Sequence, residues 1–69
     1  MAANSEGLRK ILKTQSLEYL GNHRLLDEDE RRGCIWRFAE KIPHASPVAK
    51  AHFVNEVHSE WERTQPRNS

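Results

Sequence analysis

The apolar residues recur every three to four positions in three separate segments, and this spacing limits the possible folds of the chain more than any other feature. No segment alternates apolar and polar residues over the length of a strand. This periodicity is typical of helices that bury one face, so the sequence predicts an all-α fold. The predicted inward positions are Leu8, Ile11, Leu12, Gln15, Ser16, Tyr19 and Leu20, then Ile35, Phe38, Ala39 and Ile42, then Phe53, Val54, Val57 and Trp61.

Capping residues mark the ends of the first two predicted helices. Ser5 is a good N-cap for the first helix, and Gly21 is suited to a left-handed residue just beyond its last turn. Asp27 with Glu30 three residues later predicts a capping box at the start of the second helix. Pro43 has no backbone N–H to continue that helix.

Ser46 followed by Pro47 is the clearest helix start in the chain. Short connections between helices favour antiparallel neighbours, which predicts a small three-helix bundle. The alternatives are one long hairpin, or an open arrangement that a second copy completes. The predicted helices cover residues of about 5–20, 27–42 and 46–63, in a single helical domain of residues 5–63 between a flexible N-terminus (1–4) and a disordered tail (64–69).

The chain has 69 residues, so it can bury only a small core. Domains of this size are often stabilised by disulfides, metals or self-association. Cys34 is the only cysteine, which excludes an intrachain disulfide and suits a reducing cytoplasm. We therefore expect a homodimer.

Cys34 and the four histidines are the residues that could indicate catalysis or metal binding. A nucleophilic cysteine needs a base and an oxyanion site within a cleft, and zinc ligands normally come in close pairs. His52 and His58 are six residues apart and point in different directions on a helix. We expect no enzymatic activity, no metal and no cofactor. His52 with Glu56, and His58 with Glu62, are predicted to be surface pairs.

The net charge of +1 is small for a dedicated nucleic-acid-binding domain. No apolar run exceeds three residues, which indicates no membrane span. The first twenty residues also lack the apolar region of a secretion signal. These features predict a cytoplasmic protein that does not bind membranes.

Trp36 does not fit the apolar face of the second helix, because it is rotated by about 100° from Ile35. An exposed tryptophan beside arginine has the composition of an interface hot spot, so Trp36, Arg32 and Arg37 form the first predicted partner-binding surface. The alternative is that Trp36 packs at the edge of the core. Gly33 inside the same helix indicates either close approach of the first helix or a second copy, or neutral variation.

Leu17 lies among the basic residues of the first helix, opposite Leu8. Together with Arg9 and Lys13 it forms the second predicted partner-binding surface, although single exposed leucines are common. The cations Arg9, Lys10 and Lys13 could instead contact phosphates.

Two functions follow from these patterns. The favoured one is a non-enzymatic helical module that binds a larger protein as an adaptor, antagonist or inhibitor, a kind of chain common in bacteria and phages. The alternative is a small dimeric DNA-associated transcriptional regulator. Two copies of the basic face of the first helix would then contact the DNA.

Overall fold

The computed structural model describes residues 5–65 and contains three α-helices within them. They are α1 (Ser5–Asn22), α2 (Glu28–Ala39) and α3 (Pro47–Thr64), and no strand occurs between residues 5 and 65. The predicted all-α three-helix bundle is confirmed. The predictions for residues 1–4 and 66–69 lie outside the described residues. A second copy completing the bundle stays a prediction.

Side-chain caps start α2 and α3 where the sequence predicts them. The Asp27 carboxylate accepts the Glu30 backbone N–H at 2.9 Å, and the Glu30 carboxylate accepts the Asp27 backbone N–H at 3.0 Å. The Ser46 hydroxyl accepts the Ala49 backbone N–H at 3.1 Å, and Pro47 is the first residue of α3. Each cap satisfies N–H groups that a helix start leaves unbonded.

The prediction of a left-handed Gly21 is wrong, since no glycine among residues 5–65 has a positive φ and α1 continues to Asn22. His23 ends this helix instead. Its backbone N–H donates to the Leu20 carbonyl at 3.2 Å, and its Nδ1 lies 2.9 Å from the Tyr19 carbonyl oxygen. These contacts satisfy carbonyls that a left-handed cap would otherwise bond.

The second helix is shorter than predicted, because its regular part ends at Ala39. Beyond it the N–H groups of Lys41 and Ile42 bond to the carbonyls of Phe38 and Ala39, each three residues back. This pattern tightens the last turn before Pro43. The residue with positive φ among residues 5–65 is His44, at 61°.

The core lies where the three helices meet. It consists of Leu12, Leu20, Ile35, Ala39, Phe53, Val54 and Val57, all from predicted inward positions. Packed against it are the half-buried Leu8, Leu17, Leu26, Trp36, Phe38, Ile42 and Trp61.

The inward face of α1 is narrower than the sequence predicts. Leu12, Ser16 and Leu20, spaced by four residues, are buried, whereas Ile11 is 55% exposed and Tyr19 lies at the surface. α2 packs against both other helices, but α1 has its smallest contact with α3. One flank of α1 is therefore left without a neighbour.

Candidate interaction surfaces

A groove between α1 and α2 combines an apolar, partly aromatic lining with charged side chains. Its volume is about 270 Å³. It is lined by Tyr19 of α1, by Cys34, Arg37 and Phe38 of α2, and by Lys41. Tyr19 reaches the groove from α1, where its ring contacts Phe38 of α2. Cys34 and Phe38 lie four residues apart on α2 and so share one face of that helix.

Aromatic contacts fix the floor of this α1–α2 groove. The Tyr19 ring stacks on the His23 ring with centroids 3.9 Å apart and planes 14° apart. Its other contact is with Phe38, edge to face, with centroids 6.2 Å apart. The Lys41 ammonium lies 5.3 Å from the centroid of the Phe38 ring, within the range of a cation–π contact.

The rim of the groove is positively charged. Arg37 and Lys41 are exposed, and neither makes an ion pair with any residue from 5 to 65. Two neighbouring carboxylates are already engaged, since Glu30 caps α2 and Glu40 accepts a hydrogen bond from the Trp36 Nε1–H at 2.9 Å. The two cations are thus available to an acidic ligand.

The three residues of the first predicted partner-binding surface lie in different surroundings in the structure. Trp36 is half-buried and packs at the edge of the core, which is the alternative the sequence left open. Arg32 points toward α3, donating to Asn55 Oδ1 at 2.8 Å and to Glu28 Oε2 at 3.2 Å. Arg37 alone faces solvent at the α1–α2 groove.

The side chains of the second predicted partner-binding surface mostly contact other residues of the same chain. Leu17 is half-buried against the core. Arg9 pairs with Glu56 of α3, and Lys13 lies 2.6 Å from Glu60 and 3.9 Å from Glu56. These pairs neutralise most of the basic face, on which the DNA-associated alternative depends; Lys10 stays exposed. That alternative stays a prediction.

His58 is buried in the structure, although the sequence predicts it at the surface. The predicted pair with Glu62 is present, with His58 Nδ1 3.8 Å from the Glu62 carboxylate. The predicted surface position of His58 is wrong, because its imidazole is only 1% exposed. Its Nε2 accepts a hydrogen bond from Arg31 Nε at 3.2 Å. Burial lowers the pKa of His58, the charges of Arg32 and Arg31 lower it further, and Glu62 opposes them. The sequence signal for this burial is that His58 follows Val54, a predicted inward position, by four residues.

No close approach within the chain explains Gly33. The residue is exposed, and a Cβ built on it would have no atom within 4 Å. The first helix therefore does not cover it. Two interpretations of Gly33 remain: close approach of a second copy, or neutral variation.

Among residues 5–65 no cluster of three or more His, Cys, Asp or Glu side chains is arranged to hold a metal ion. In the same part of the chain no helix has the length and apolar character needed to cross a membrane. Comparison with family models, curated proteins and solved structures finds no match to this chain.

Proposed function

We propose that this chain is a non-enzymatic helical interaction module of the cytoplasm that acts on a larger protein as an adaptor, antagonist or inhibitor. The observation that carries the proposal is the α1–α2 groove, where apolar and aromatic surface is left open beside two cations without ion pairs. A small apolar pocket with a polar rim can take one anchor side chain of a partner protein.

The chemistry of the groove defines the ligand. Its volume of about 270 Å³ suits one large apolar side chain, and Tyr19 and Phe38 supply the aromatic walls. Arg37 and Lys41 favour carboxylates next to that anchor. The proposed ligand is therefore an acidic segment of a partner protein that carries one aromatic or large aliphatic residue.

The ring contacts favour such a segment over a nucleic acid. A base would have to stack on an open aromatic face. His23 stacks on one face of the Tyr19 ring and Lys41 lies over the Phe38 ring, so the groove offers no row of open ring faces on which successive bases could stack. Two cations also supply few phosphate contacts, which gives weak binding that salt abolishes.

An unbiased peptide-display library tests the proposal with the full chain as bait. We expect selected peptides to combine acidic residues with an aromatic or large aliphatic residue. Lys41→Glu reverses one rim charge and should weaken their binding at least about tenfold. Cys34→Leu fills the groove without changing charge, and should also weaken it.

Lys10→Glu is the matched control, because Lys10 is an exposed cation of α1 that does not line the groove. It should leave peptide binding unchanged. Circular dichroism checks that each variant stays helical. Peptides that bind Lys41→Glu and Cys34→Leu as well as the unmodified chain would contradict the proposal. Salt-sensitive DNA binding that Lys10→Glu abolishes would support the DNA-associated regulator instead.

A further inference from the structure

The solvent face of α2 carries two opposite charges on either side of a glycine. Asp29, Gly33 and Arg37 are spaced by four residues, so they lie along one face of the helix, and all three are exposed. Neither Asp29 nor Arg37 makes an ion pair or hydrogen bond through its side chain with residues 5–65. We call this the Gly33 face.

The Gly33 face is complementary to itself. Asp29 and Arg37 are each four residues from Gly33, which places them about 6 Å along the helix axis on opposite sides of it. If two copies of α2 lie antiparallel with a two-fold axis at Gly33, each Asp29 comes opposite the Arg37 of the other copy. A two-fold interface requires such reciprocal pairs.

We propose that a second copy of this chain docks on the Gly33 face in this antiparallel arrangement, with two reciprocal Asp29–Arg37 ion pairs. The absence of a side chain at Gly33 lets the two backbones approach closely at the axis. Trp36 and Glu30, each three residues from Gly33, flank the contact on opposite sides of the axis. The half-buried Trp36 thereby adds its remaining exposed surface at the edge of the interface.

Charge complementarity selects a second copy as the occupant. Two reciprocal ion pairs form when the partner carries the same two charges in the opposite order along its helix. An antiparallel copy of α2 does this by symmetry. This proposal goes beyond the groove described above. Arg37 borders both surfaces, but Tyr19, Phe38 and Lys41 lie on the groove side only.

Charge exchange tests the proposal by sedimentation equilibrium, from about 1 to about 500 µM protein, a range that covers a small, weak interface. The unmodified chain should dimerise. Asp29→Arg and Arg37→Asp should each weaken the dimer at least about tenfold, because each puts like charges opposite one another. An equimolar mixture of the two variants should form a heterodimer, in which both pairs are restored with exchanged signs.

Gly33→Leu adds a side chain at the axis and should also prevent dimerisation, while circular dichroism shows that the helices are retained. Glu18→Arg and Lys10→Asp are matched charge reversals on exposed positions of α1 and should leave the dimer intact. A chain that stays monomeric at every concentration would overturn the proposal. A dimer unaffected by Asp29→Arg and Arg37→Asp, or a mixture that fails to associate, would do so as well. None of these results depends on whether peptides bind the groove.

Discussion

The Arg31 guanidinium donates a hydrogen bond from Nε to Nε2 of the buried His58, at 3.2 Å. The same guanidinium donates from Nη1 to the Leu26 carbonyl at 2.8 Å. One side chain of α2 therefore links α3 to the loop that precedes α2. Because Nε2 accepts this bond, the proton of the neutral imidazole is on Nδ1.

This relationship predicts that acid destabilises the fold through His58. The pKa of His58 is lowered in the folded chain from its ordinary value of 6.5, chiefly because the ring is buried. Between the two values the unfolded chain binds a proton that the folded chain does not. Stability is therefore fully present above pH 6.5 and falls as the pH drops toward the folded pKa, by at most about 1.4 kcal/mol per pH unit. Urea unfolding at pH 7.5, 6.5, 5.5 and 5.0 measures this slope.

His58→Gln is the control for the pH dependence, because glutamine can accept the Arg31 hydrogen bond but does not titrate. Its stability should change less than that of the unmodified chain over the same pH range. Equal slopes for the two proteins would show that other groups cause the acid sensitivity.

Replacing Arg31 should lower the free energy of unfolding far more than replacing the adjacent Arg32. Arg31→Met leaves the buried Nε2 of His58 and the Leu26 carbonyl without their donor, and unmet buried hydrogen bonds cost about 1–3 kcal/mol each. Arg32→Met removes bonds to Glu28 and Asn55 that lie at the surface, and should cost less than about 1 kcal/mol. Urea unfolding at pH 7.5 compares the two, and a larger loss for Arg32→Met would contradict the prediction.

The cap of α2 should contribute measurably to stability. Asp27→Ala removes the carboxylate that accepts the Glu30 N–H, and such changes typically cost about 1 kcal/mol. Asp27→Asn keeps an acceptor oxygen and should cost less. The expected order in thermal unfolding is unmodified chain, then Asp27→Asn, then Asp27→Ala; equal stability of all three would mean that the cap is irrelevant.

Truncating a buried aliphatic side chain should destabilise the fold far more than truncating an exposed one. Ile35 has no exposed surface, so Ile35→Ala should destabilise the fold by about 2–5 kcal/mol. Leu25 is fully exposed in the first loop, and Leu25→Ala should change the free energy of unfolding by less than about 0.5 kcal/mol. Chemical unfolding of both variants tests whether burial sets the cost.

Local signals predicted the helices well because they act within a few residues. The Asp27–Glu30 box and the Ser46–Pro47 start are formed by neighbours in sequence, so their chemistry can be read directly. The end of α1 could not be read this way, since His23 supplies through its ring and N–H what Gly21 was expected to provide.

The candidate surfaces were harder to predict because they depend on which helix faces which. Arg32 and Arg37 look alike in sequence, but the packing of α2 turns Arg32 toward Asn55 of α3 and leaves Arg37 at the groove. Likewise, the basic residues Arg9 and Lys13 meet acids of α3 about 45 positions further along the chain. Periodicity identifies the faces of a helix, whereas tertiary contacts decide which charges stay available.

The proposed function depends most directly on where a ligand binds. A display-selected acidic peptide, titrated into ¹⁵N-labelled chain, locates its site through changes in amide chemical shifts. The largest changes should cluster around the α1–α2 groove, at Tyr19, Cys34, Arg37, Phe38 and Lys41. Changes centred on Arg9, Lys13 and Glu56, or no saturable change at all, would contradict the proposed function.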